Sequence, residues 1–311
     1  MKKFGKLLLK GLLGIFILFN MMVIFHAYKL THFYERSSLV AQPATVKTGW
    51  DKAADIFMGV KAPKSVNIGP DTIVQDITLI TGNGLQLSAW QLPAAEPKGT
   101  VAMFHGHGSK KSALLAEAAL FRKLGYNTFM VDFRAHGNSE GNTCTIGYEE
   151  AEDVKLAYDY LVKHGEKNII LYGVSLGAAT VSKAVHDYSL QPSKIILEMP
   201  FASLYDAVKG RLKIMNLPQQ PLAAMLTFWG GTMHGFLAFN LQPAEYVKSI
   251  ECPVLMQWGR NDPRVSLEET ELIYSNINSS KKLVVYDNSG HESYYKKEPA
   301  KWTNEVTTFL Q

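Results

Sequence analysis

The pentapeptide G-V-S-L-G at residues 173–177 constrains the fold of this 311-residue chain more than any other stretch. The apolar residues 168–172 precede it, and residues 178–181 read as the start of a helix. A strand, a sharp turn of the form G-x-S-x-G and a helix place the Ser175 hydroxyl on a strained turn above a sheet, with glycines that let the backbone bend tightly. The pentapeptide alone is a weak signal, so its interpretation depends on the residues at the ends of the other strands.

Strand-like and helical stretches alternate through the rest of the chain. The first two strand-like runs, residues 73–80 and 85–92, are joined through a Gly-Asn-Gly turn, which is a strong β-hairpin signal. Strands that alternate with helices after this antiparallel hairpin predict a mostly parallel sheet with helices on both faces. The later strands are predicted at 100–104, 127–131, 168–172, 194–198, 253–258 and 281–286, and the helices at 112–124, 148–164, 267–277 and around Trp302, Val306 and Phe309.

The helix predicted at residues 148–164 carries its charges in the order that a helix dipole favours. Acidic side chains crowd its first turns, and Lys163 and His164 stand at its end. Negative charge near a helix N-terminus and positive charge near its C-terminus both stabilise the helix. The acids in question are Glu149, Glu150, Glu152 and Asp153.

The N-terminal segment is long and apolar enough to cross a membrane. Residues 7–25 are apolar apart from Lys10 and Asn20, and residues 11–28 contain no Asp, Glu, Lys or Arg. A stretch of that length is about long enough for one membrane crossing. A cleaved signal peptide is the alternative, but no A-x-A cleavage motif follows the apolar run. We therefore predict that residues 1–28 are an uncleaved membrane anchor, whereas cleavage would yield a secreted protein.

The charge distribution predicts the orientation of this anchor. Four lysines without a nearby acid occupy residues 1–10 and account for the formal net charge of +4. The positive-inside rule then holds the N-terminus in the cytoplasm and the rest of the chain outside, although Lys29 and Arg36 reduce the contrast. The other basic and acidic side chains are equal in number, 28 of each, which argues against nucleic-acid binding.

The two cysteines, Cys144 and Cys252, are too few for a disulfide framework. They fall beside different predicted strands. We interpret both as packing residues, without excluding a bridge between them.

Residues 29–70 are predicted to link the anchor to a folded domain at residues 71–311. Residues 29–47 are polar and irregular, as expected of a spacer, and a helix follows at residues 48–60 with Thr48 as its cap. An apolar stripe on this helix fits either packing on the body or lying on a lipid surface, and we favour burial. The stripe consists of Trp50, Ala53, Ala54, Phe57 and Met58.

The uncharged residues 222–241 also pass a simple test for a membrane span. They lie between two predicted strands of one sheet, so a membrane crossing there would put Ser175 and the last strand on opposite sides. The Gly-Gly pair at residues 230–231 weakens that reading further. We therefore predict that residues 201–243 form a helical cap inserted after the sixth strand, with an apolar underside that shapes a substrate pocket.

Residues with reactive side chains follow several of the predicted strands. Ser175 follows the fifth strand, Asp262 follows the seventh within G-R-N-D-P-R-V, and His291 follows the last within N-S-G-H-E. The third strand leads into H-G-H-G-S at residues 105–109, and the fourth leads into D-F-R-A-H-G-N-S at residues 132–139. The agreement of several such loops is more specific than any one of them.

This arrangement resembles the α/β-hydrolase superfamily over roughly residues 71–311, nearest to small membrane-anchored or secreted enzymes of the esterase, lysophospholipase and serine-peptidase-like branches. The resemblance implies the α/β-hydrolase fold and a catalytic triad in the chain order Ser, acid, His. It makes Ser175 the nucleophile and His291 the base that removes its proton. It makes Asp262 the acid that orients His291 and stabilises the imidazolium.

The same resemblance implies an oxyanion hole formed by the backbone N–H groups of His107 and Leu176. It also matches residues 132–139 to the D-x-R-G-H-G-x-S turn of the family, with Ala135 where glycine is usual. We interpret this turn as a structural loop beside the oxyanion hole. The alternative for residues 105–107 is a zinc site, because H-x-H is a ligand pair, but no further ligand follows at local spacing.

The leading functional hypothesis is a serine hydrolase that cleaves carboxylic esters or acyl lipids through an acyl-enzyme on Ser175, without a metal or organic cofactor. The apolar cap and the membrane tether favour an ester over a peptide. One alternative is an aminopeptidase-like enzyme in which Glu198 or Glu245 recognises an amine, and Glu198 is also a less favoured candidate for the triad acid. The other is an inert membrane-tethered binding protein on the same fold. The expected partners are a small ester, lipid or peptide substrate and the membrane.

Overall fold

An eight-stranded, mostly parallel sheet forms the centre of the protein in a computed structural model that describes residues 2–35, 48–60, 62–72 and 74–311. The strands are β1 (Gln75–Ile80), β2 (Gln86–Leu92), β3 (Thr100–Phe104), β4 (Asn127–Val131), β5 (Ile169–Val174), β6 (Lys194–Glu198), β7 (Val254–Gly259) and β8 (Lys281–Tyr286). Their spatial order is β8-β7-β6-β5-β3-β4-β2-β1. The β1–β2 and β2–β4 pairs are antiparallel and the others parallel.

Helices precede the sheet and cover both of its faces. They are α1 (Lys2–Thr31), α2 (Gly49–Met58), α3 (Leu115–Lys123), α4 (Glu150–Lys163), α5 (Leu176–Tyr188), α6 (Leu204–Ile214), α7 (Leu222–Met233), α8 (Pro243–Tyr246), α9 (Leu267–Asn276), α10 (Tyr294–Lys297) and α11 (Pro299–Leu310). A separate pair of two-residue strands, Phe33–Tyr34 and Ala62–Pro63, lies outside the main sheet.

The central strands are apolar throughout because both of their faces are covered. All five residues of β3 are buried. Alternate side chains of β3 point to opposite faces, so Ala102 and Phe104 join one core cluster while Val101 and Met103 join the other. The sheet therefore separates two apolar cores, and its carboxyl edge carries the loops that follow β3, β5 and β7.

The predicted fold class is confirmed, including the antiparallel opening hairpin and the helices on both faces of the sheet. The predicted bounds of β3, β4, β6 and β8 agree with the structure. Helices α6 and α7 lie between the sixth and seventh strands, where the cap was expected. Ile73 and residues 36–47, which belong to a predicted strand and to the predicted spacer, lie outside the described residues, and the domain division stays a prediction.

Helix α1 continues to Thr31, beyond the predicted end of the anchor at residue 28, and it is long and apolar enough to cross a membrane. Its last turns pack into the body of the protein. The exposed fraction of Val23 and of Ala27 is only 2%, because both side chains contact a cluster that includes Leu226 of α7. Part of the apolar surface predicted for the underside of the cap is therefore covered by the anchor helix.

The expectation that the apolar stripe of α2 is buried is wrong. Thr48 caps this helix in a capping box with Asp51, as its sequence indicates. However, Trp50 is 83% exposed, Ala53, Ala54 and Met58 are also exposed, and only Phe57 is half-buried, against Phe25 of α1 with ring centroids 6.1 Å apart. The helix therefore lies beside the anchor and not on the core.

The two cysteines are free, and no bridge joins them. Cys144 is fully buried in the core cluster, and Cys252 is partly buried against it. Both positions agree with a packing role.

Candidate active site

Ser175 occupies a strained turn between β5 and α5, with φ 53° and ψ −111°. A positive φ of this kind costs a non-glycine residue about 1–3 kcal/mol and persists only where surrounding packing enforces it. The flanking glycines serve close approach and not positive φ: a Cβ on Gly177 would lie 2.2 Å from the carbonyl oxygen of Phe104, and one on Gly173 would lie 2.5 Å from the backbone of Gly177. The serine itself bears the strain of the turn.

The structure brings Ser175, His291 and Asp262 together in one hydrogen-bonded chain. The Nε2 atom of His291 lies 3.0 Å from the Oγ atom of Ser175. The Nδ1 atom of the same ring lies 2.7 Å from the Oδ2 atom of Asp262. With the Nδ1–H donating to the carboxylate, Nε2 has a lone pair that accepts the serine hydroxyl.

Asp262 is held in place by the loop that carries it. Its side chain is fully buried, and that of His291 is only 11% exposed. Its second oxygen, Oδ1, accepts the backbone N–H groups of Arg264 at 2.7 Å and Val265 at 3.0 Å. Each carboxylate oxygen therefore has its own donors, which satisfies a charge that would otherwise be costly to bury.

The loop after β3 lies directly above Ser175. A Cβ on Gly106 would lie 3.6 Å from the Cβ atom of Ser175. Leu176 is the first residue of α5, so its N–H has no partner within the helix. Among the described residues, neither that N–H nor the N–H of His107 donates a hydrogen bond. The residue after Ser175 and the loop after β3 thus each have an N–H group without an acceptor among the described residues, and the positive end of the α5 dipole lies at the same turn.

The imidazole rings of the same loop bind to backbone groups. The Nε2 atom of His105 accepts the N–H of Phe133 at 3.2 Å, while its Nδ1–H donates to the carbonyl oxygen of Gly106 at 2.8 Å. The Nε2 atom of His107 lies 3.1 Å from the carbonyl oxygen of Leu30 in α1. Burial lowers the pKa of both histidines to about 3, so both rings are neutral. These contacts use ring nitrogens that a zinc ion would require.

Residues 132–139 support the loop after β3 from the side. The Nε2 atom of His136 accepts the N–H of Gly108 at 3.0 Å, and its Nδ1–H donates to the carbonyl oxygen of Arg134 at 2.9 Å. Ala135 adopts φ 63° and its N–H donates to Glu140, so the turn keeps a conformation that favours glycine. These contacts agree with a structural role for the loop.

The sequence does not predict two groups of ion pairs in this region, one at Lys111 and one at Arg134. Lys111 and Asp132 are both fully buried, with 2.6 Å between Nζ and Oδ2. Arg134 donates to Asp153 through Nε and Nη2, at 2.9 and 2.6 Å, and also pairs with Glu149 and Glu152. Acids attributed to the dipole of α4 therefore also fix the loop. The sequence offered only an unusual excess of acids as a signal.

Glu198 is not the partner of His291. Its Oε1 atom accepts the indole N–H of Trp302 at 2.5 Å and the side-chain amide of Gln257 at 3.1 Å. Burial raises the pKa of Glu198 to about 8, so this carboxyl group is protonated at neutral pH. It belongs to the packing between β6, β7 and α11.

Glu198 gives the protein a pH-dependent stability that Glu198→Gln should remove. Between the usual carboxyl pKa of 4.5 and about 8, only the folded state holds this proton. Folding then takes up a proton, so the free energy of unfolding falls as the pH rises through this window. Chemical denaturation at pH 5 and pH 8 should show a smaller difference for Glu198→Gln than for the wild type. Equal differences would contradict the raised pKa.

Comparisons with known proteins agree with this architecture. Residues 95–229 match the family described as serine aminopeptidase, S33. The protein YqkD of Bacillus subtilis is 26% identical over 231 residues, which cover 73% of this chain and 76% of that protein. The lysophosphatidylserine lipase ABHD12 of Danio rerio is 27% identical over 170 residues, which cover 51% of this chain and 42% of that protein.

A solved structure of the Pyrococcus furiosus esterase Pf2001 superimposes with a TM-score of 0.67 at 24% identity, over 81% of this chain and 98% of the esterase. At that identity the likeness concerns the fold. The chain therefore has the α/β-hydrolase fold, and part of its sequence is similar to proteins that share this fold.

Proposed function

We propose that this protein is a serine hydrolase that cleaves carboxylic esters or acyl lipids through an acyl-enzyme on Ser175. The observation that carries the proposal is the chain of short contacts from Ser175 through His291 to Asp262, 3.0 and 2.7 Å long. A serine hydroxyl is a poor nucleophile unless a base takes its proton during attack. The buried Asp262 carboxylate holds His291 in the tautomer and orientation that this proton transfer needs.

In the first half of the reaction, the Oγ atom of Ser175 attacks the ester carbonyl carbon while its proton moves to Nε2 of His291. The carbonyl oxygen becomes an oxyanion and accepts the N–H groups of His107 and Leu176. One such donor is worth about 10²–10³ in rate. The intermediate then collapses, the bond to the alcohol oxygen breaks, and His291 returns the proton to that oxygen.

In the second half, water takes the place of the alcohol. His291 removes a proton from the water as its oxygen attacks the acyl carbon, and the same two backbone donors bind the oxyanion again. Collapse releases the carboxylic acid, and the proton returns to Ser175. Every proton is carried by His291, so this chemistry requires no metal or organic cofactor.

The surroundings of the site support an ester over an aminopeptidase substrate. Glu198 is buried and protonated, and Glu245 pairs with Lys248 on the surface at 2.7 Å, so neither presents a free carboxylate to a substrate amine. A relative named as a lysophosphatidylserine lipase and a structural neighbour named as an esterase also favour an ester substrate.

The test is a substrate series on the full-length protein in detergent. We expect labelling by a fluorophosphonate probe and hydrolysis of p-nitrophenyl esters, with a preference that depends on acyl-chain length. Turnover of aminoacyl p-nitroanilides without turnover of the esters would instead establish the peptidase alternative. Folded protein that neither reacts with the probe nor hydrolyses any substrate would support the inert binding protein.

Helix α1 supports membrane anchoring by an uncleaved segment. Cleavage near residue 28 would remove Val23 and Ala27, which are almost fully buried against the cap. It would therefore open an apolar surface on α7 and cost the transfer free energy of the groups exposed. We infer that the segment stays attached to the mature protein.

We expect the catalytic body to lie outside the cytoplasm, because the lysines at the N-terminus favour a cytoplasmic location for that end of the anchor. Alkaline phosphatase fused after Gln311 should therefore be active, and a fluorescent protein that folds only in the cytoplasm should stay dark at the same position. The opposite pair of results would reverse the orientation. Fusions at the N-terminus serve as the control.

A further inference from the structure

The body of the protein covers α1 from Phe19 onwards. Phe19 and Val23 pack against the apolar cluster of α6 and α7, and the indole N–H of Trp229 in α7 donates to the side chain of Asn20 at 3.2 Å. Between the N-terminus and Leu18, the large apolar side chains of α1 are exposed. They are Phe4, Leu7, Leu8, Leu9, Leu12, Leu13, Ile15, Phe16, Ile17 and Leu18.

The uncovered part of α1 is too short to cross a bilayer. Residues 4–18 span about 22 Å at 1.5 Å per residue, whereas the hydrocarbon core is about 30 Å thick and needs about 20 residues. A span that begins as early as Phe4 therefore reaches Val23, and a later start, after Lys6 or Lys10, moves the end further. The side chains that pack against residues 19–23 consequently lie within the hydrocarbon layer.

An uncharged stretch of the cap exposes apolar side chains near this level, and the exposed Arg211 and Lys213 lie just before it on α6. Residues 214–229 contain no Asp, Glu, Lys or Arg. They follow Leu212, which contacts the anchor, and include Phe228, which is 50% exposed beside Trp229. We call the exposed set the lipid-facing cap surface: Ile214, Met215, Leu217 and Phe228, with exposed fractions of 39, 52, 41 and 50%.

Helix α2 lies at the next level along the anchor. Its Ile56 carbonyl oxygen lies 2.8 Å from Nε2 of His26, and Phe57 contacts Phe25. These contacts begin two residues beyond Val23, which is about 3 Å along a helix. For a span that runs from Phe4 to Val23, they fall in the headgroup region. An exposed Trp50 and Ile56, 83 and 71% accessible, suit a helix at that depth, where tryptophan is enriched.

We propose that the lipid-facing cap surface is immersed in the bilayer leaflet into which α1 emerges, with α2 in the headgroup layer of the same leaflet. The occupant of this surface is the acyl chains of the lipids around the anchor. Continuity with the membrane-crossing helix, the absence of charge at residues 214–229 and the length of α1 support this occupant. The surface would otherwise expose apolar groups to water beside a membrane.

Immersion of the cap gives the active site a route from the membrane, a consequence that rests on the proposed function. An apolar cavity lies between α1 and the cap, lined by Ala27, Leu30, Leu226 and Ile146. The backbone of Leu30 also contacts His107 in the oxyanion loop. The anchor helix therefore places the leaflet beside the oxyanion loop, and an acyl chain that enters there must displace side chains between α1 and the cap, because the cavity itself measures only about 30 Å³.

Depth-dependent quenching tests the immersion directly. In a Cys252→Ser background of the full chain, an environment-sensitive fluorophore is attached at Met215→Cys or Phe228→Cys, and the protein is reconstituted in phosphatidylcholine vesicles. Cys144 is fully buried and unlabelled. Lipids brominated on their acyl chains should quench both labels. A label at Leu272→Cys, a residue equally exposed at 49%, should not be quenched.

Quenching no greater at residues 215 and 228 than at residue 272 would overturn the proposal. A second measurement uses Met215→Glu combined with Phe228→Glu, and Leu272→Glu as the matched control. The double variant should lose about tenfold or more on a long-chain monoacylglycerol in vesicles and nothing on water-soluble p-nitrophenyl acetate. The same rate as wild type on both substrates would overturn the membrane route.

The two hypotheses fail separately. If the unmodified protein hydrolyses neither substrate, the proposed function is wrong, while the quenching result still decides whether the cap is immersed. If the water-soluble ester is hydrolysed and the labels are not quenched, the serine hydrolase proposal stands and the immersion proposal is wrong.

Discussion

Replacing Ser175 by alanine should lower kcat for ester hydrolysis by about 10⁵–10⁶-fold and abolish fluorophosphonate labelling, because no other atom can form the acyl-enzyme. The side chains of His291 and Asp262 remain in place in this variant, so the loss isolates the hydroxyl. The measurement is single-turnover and steady-state hydrolysis of a p-nitrophenyl ester by the purified full-length protein. Labelling or activity close to wild type would refute Ser175 as the nucleophile.

The stability of Ser175 variants provides a matched control. Alanine has the same difficulty as serine with a φ of 53°, so Ser175→Ala should unfold at nearly the wild-type temperature. Glycine relieves that strain, so Ser175→Gly should be equally inactive yet more stable, by about 1 kcal/mol. If Ser175→Ala were inactive only because it is unfolded, its unfolding temperature would fall well below that of the wild type.

Replacing His291 by alanine should also lower kcat by about 10⁵–10⁶-fold, because the serine then loses the base 3.0 Å from its oxygen. The expected loss is in kcat rather than KM, since the imidazole acts on protons that move only during the reaction. The double variant with Ser175→Ala should be no slower than either single variant, because the two groups act as a unit. Additive losses would show that they act separately.

Asp262→Asn is the more conservative test of the same chain. It preserves shape but reverses the hydrogen bond to Nδ1, which favours the wrong tautomer of His291 and should cost about 10⁴ in kcat. Glu198→Gln, at the other strand end considered for the acid, should leave kcat unchanged because Glu198 contacts Trp302 and Gln257 and not His291. If Glu198→Gln lost more activity than Asp262→Asn, Glu198 and not Asp262 would be the acid of the triad.

Close packing holds the strained turn at Ser175 in place, and buried ion pairs hold the loops beside it. The turn at residue 175 persists because Gly177 packs against Phe104 at a distance that admits no Cβ. The neighbouring loop is held by the buried Lys111–Asp132 pair and by the pairing of Arg134 with Asp153 of α4. A loop held in this way fits our proposal that the N–H groups of His107 and Leu176 bind the oxyanion, because such donors must be fixed in place before the reaction.

Sequence patterns were most informative where structure is local. Apolar runs and turn residues predicted four strands with the observed bounds, and a helix cap was foreseen at Thr48. They were least informative about the direction in which a stripe faces. The stripe on α2 has the periodicity of a buried face, yet Trp50 is exposed, because periodicity records which residues share a face and not what covers it.

The sequence by itself determined the order of strands and helices, the fold class and the loops in which Ser175, Asp262 and His291 lie, since these follow from local periodicity and turn chemistry. Only the tertiary structure decided that Ser175 and His291, 116 residues apart, meet at 3.0 Å, and that Asp262 rather than Glu198 reaches the imidazole. It also decided that the end of the anchor packs against the cap. Those contacts depend on how distant elements pack against one another, and no local pattern of residues encodes that packing.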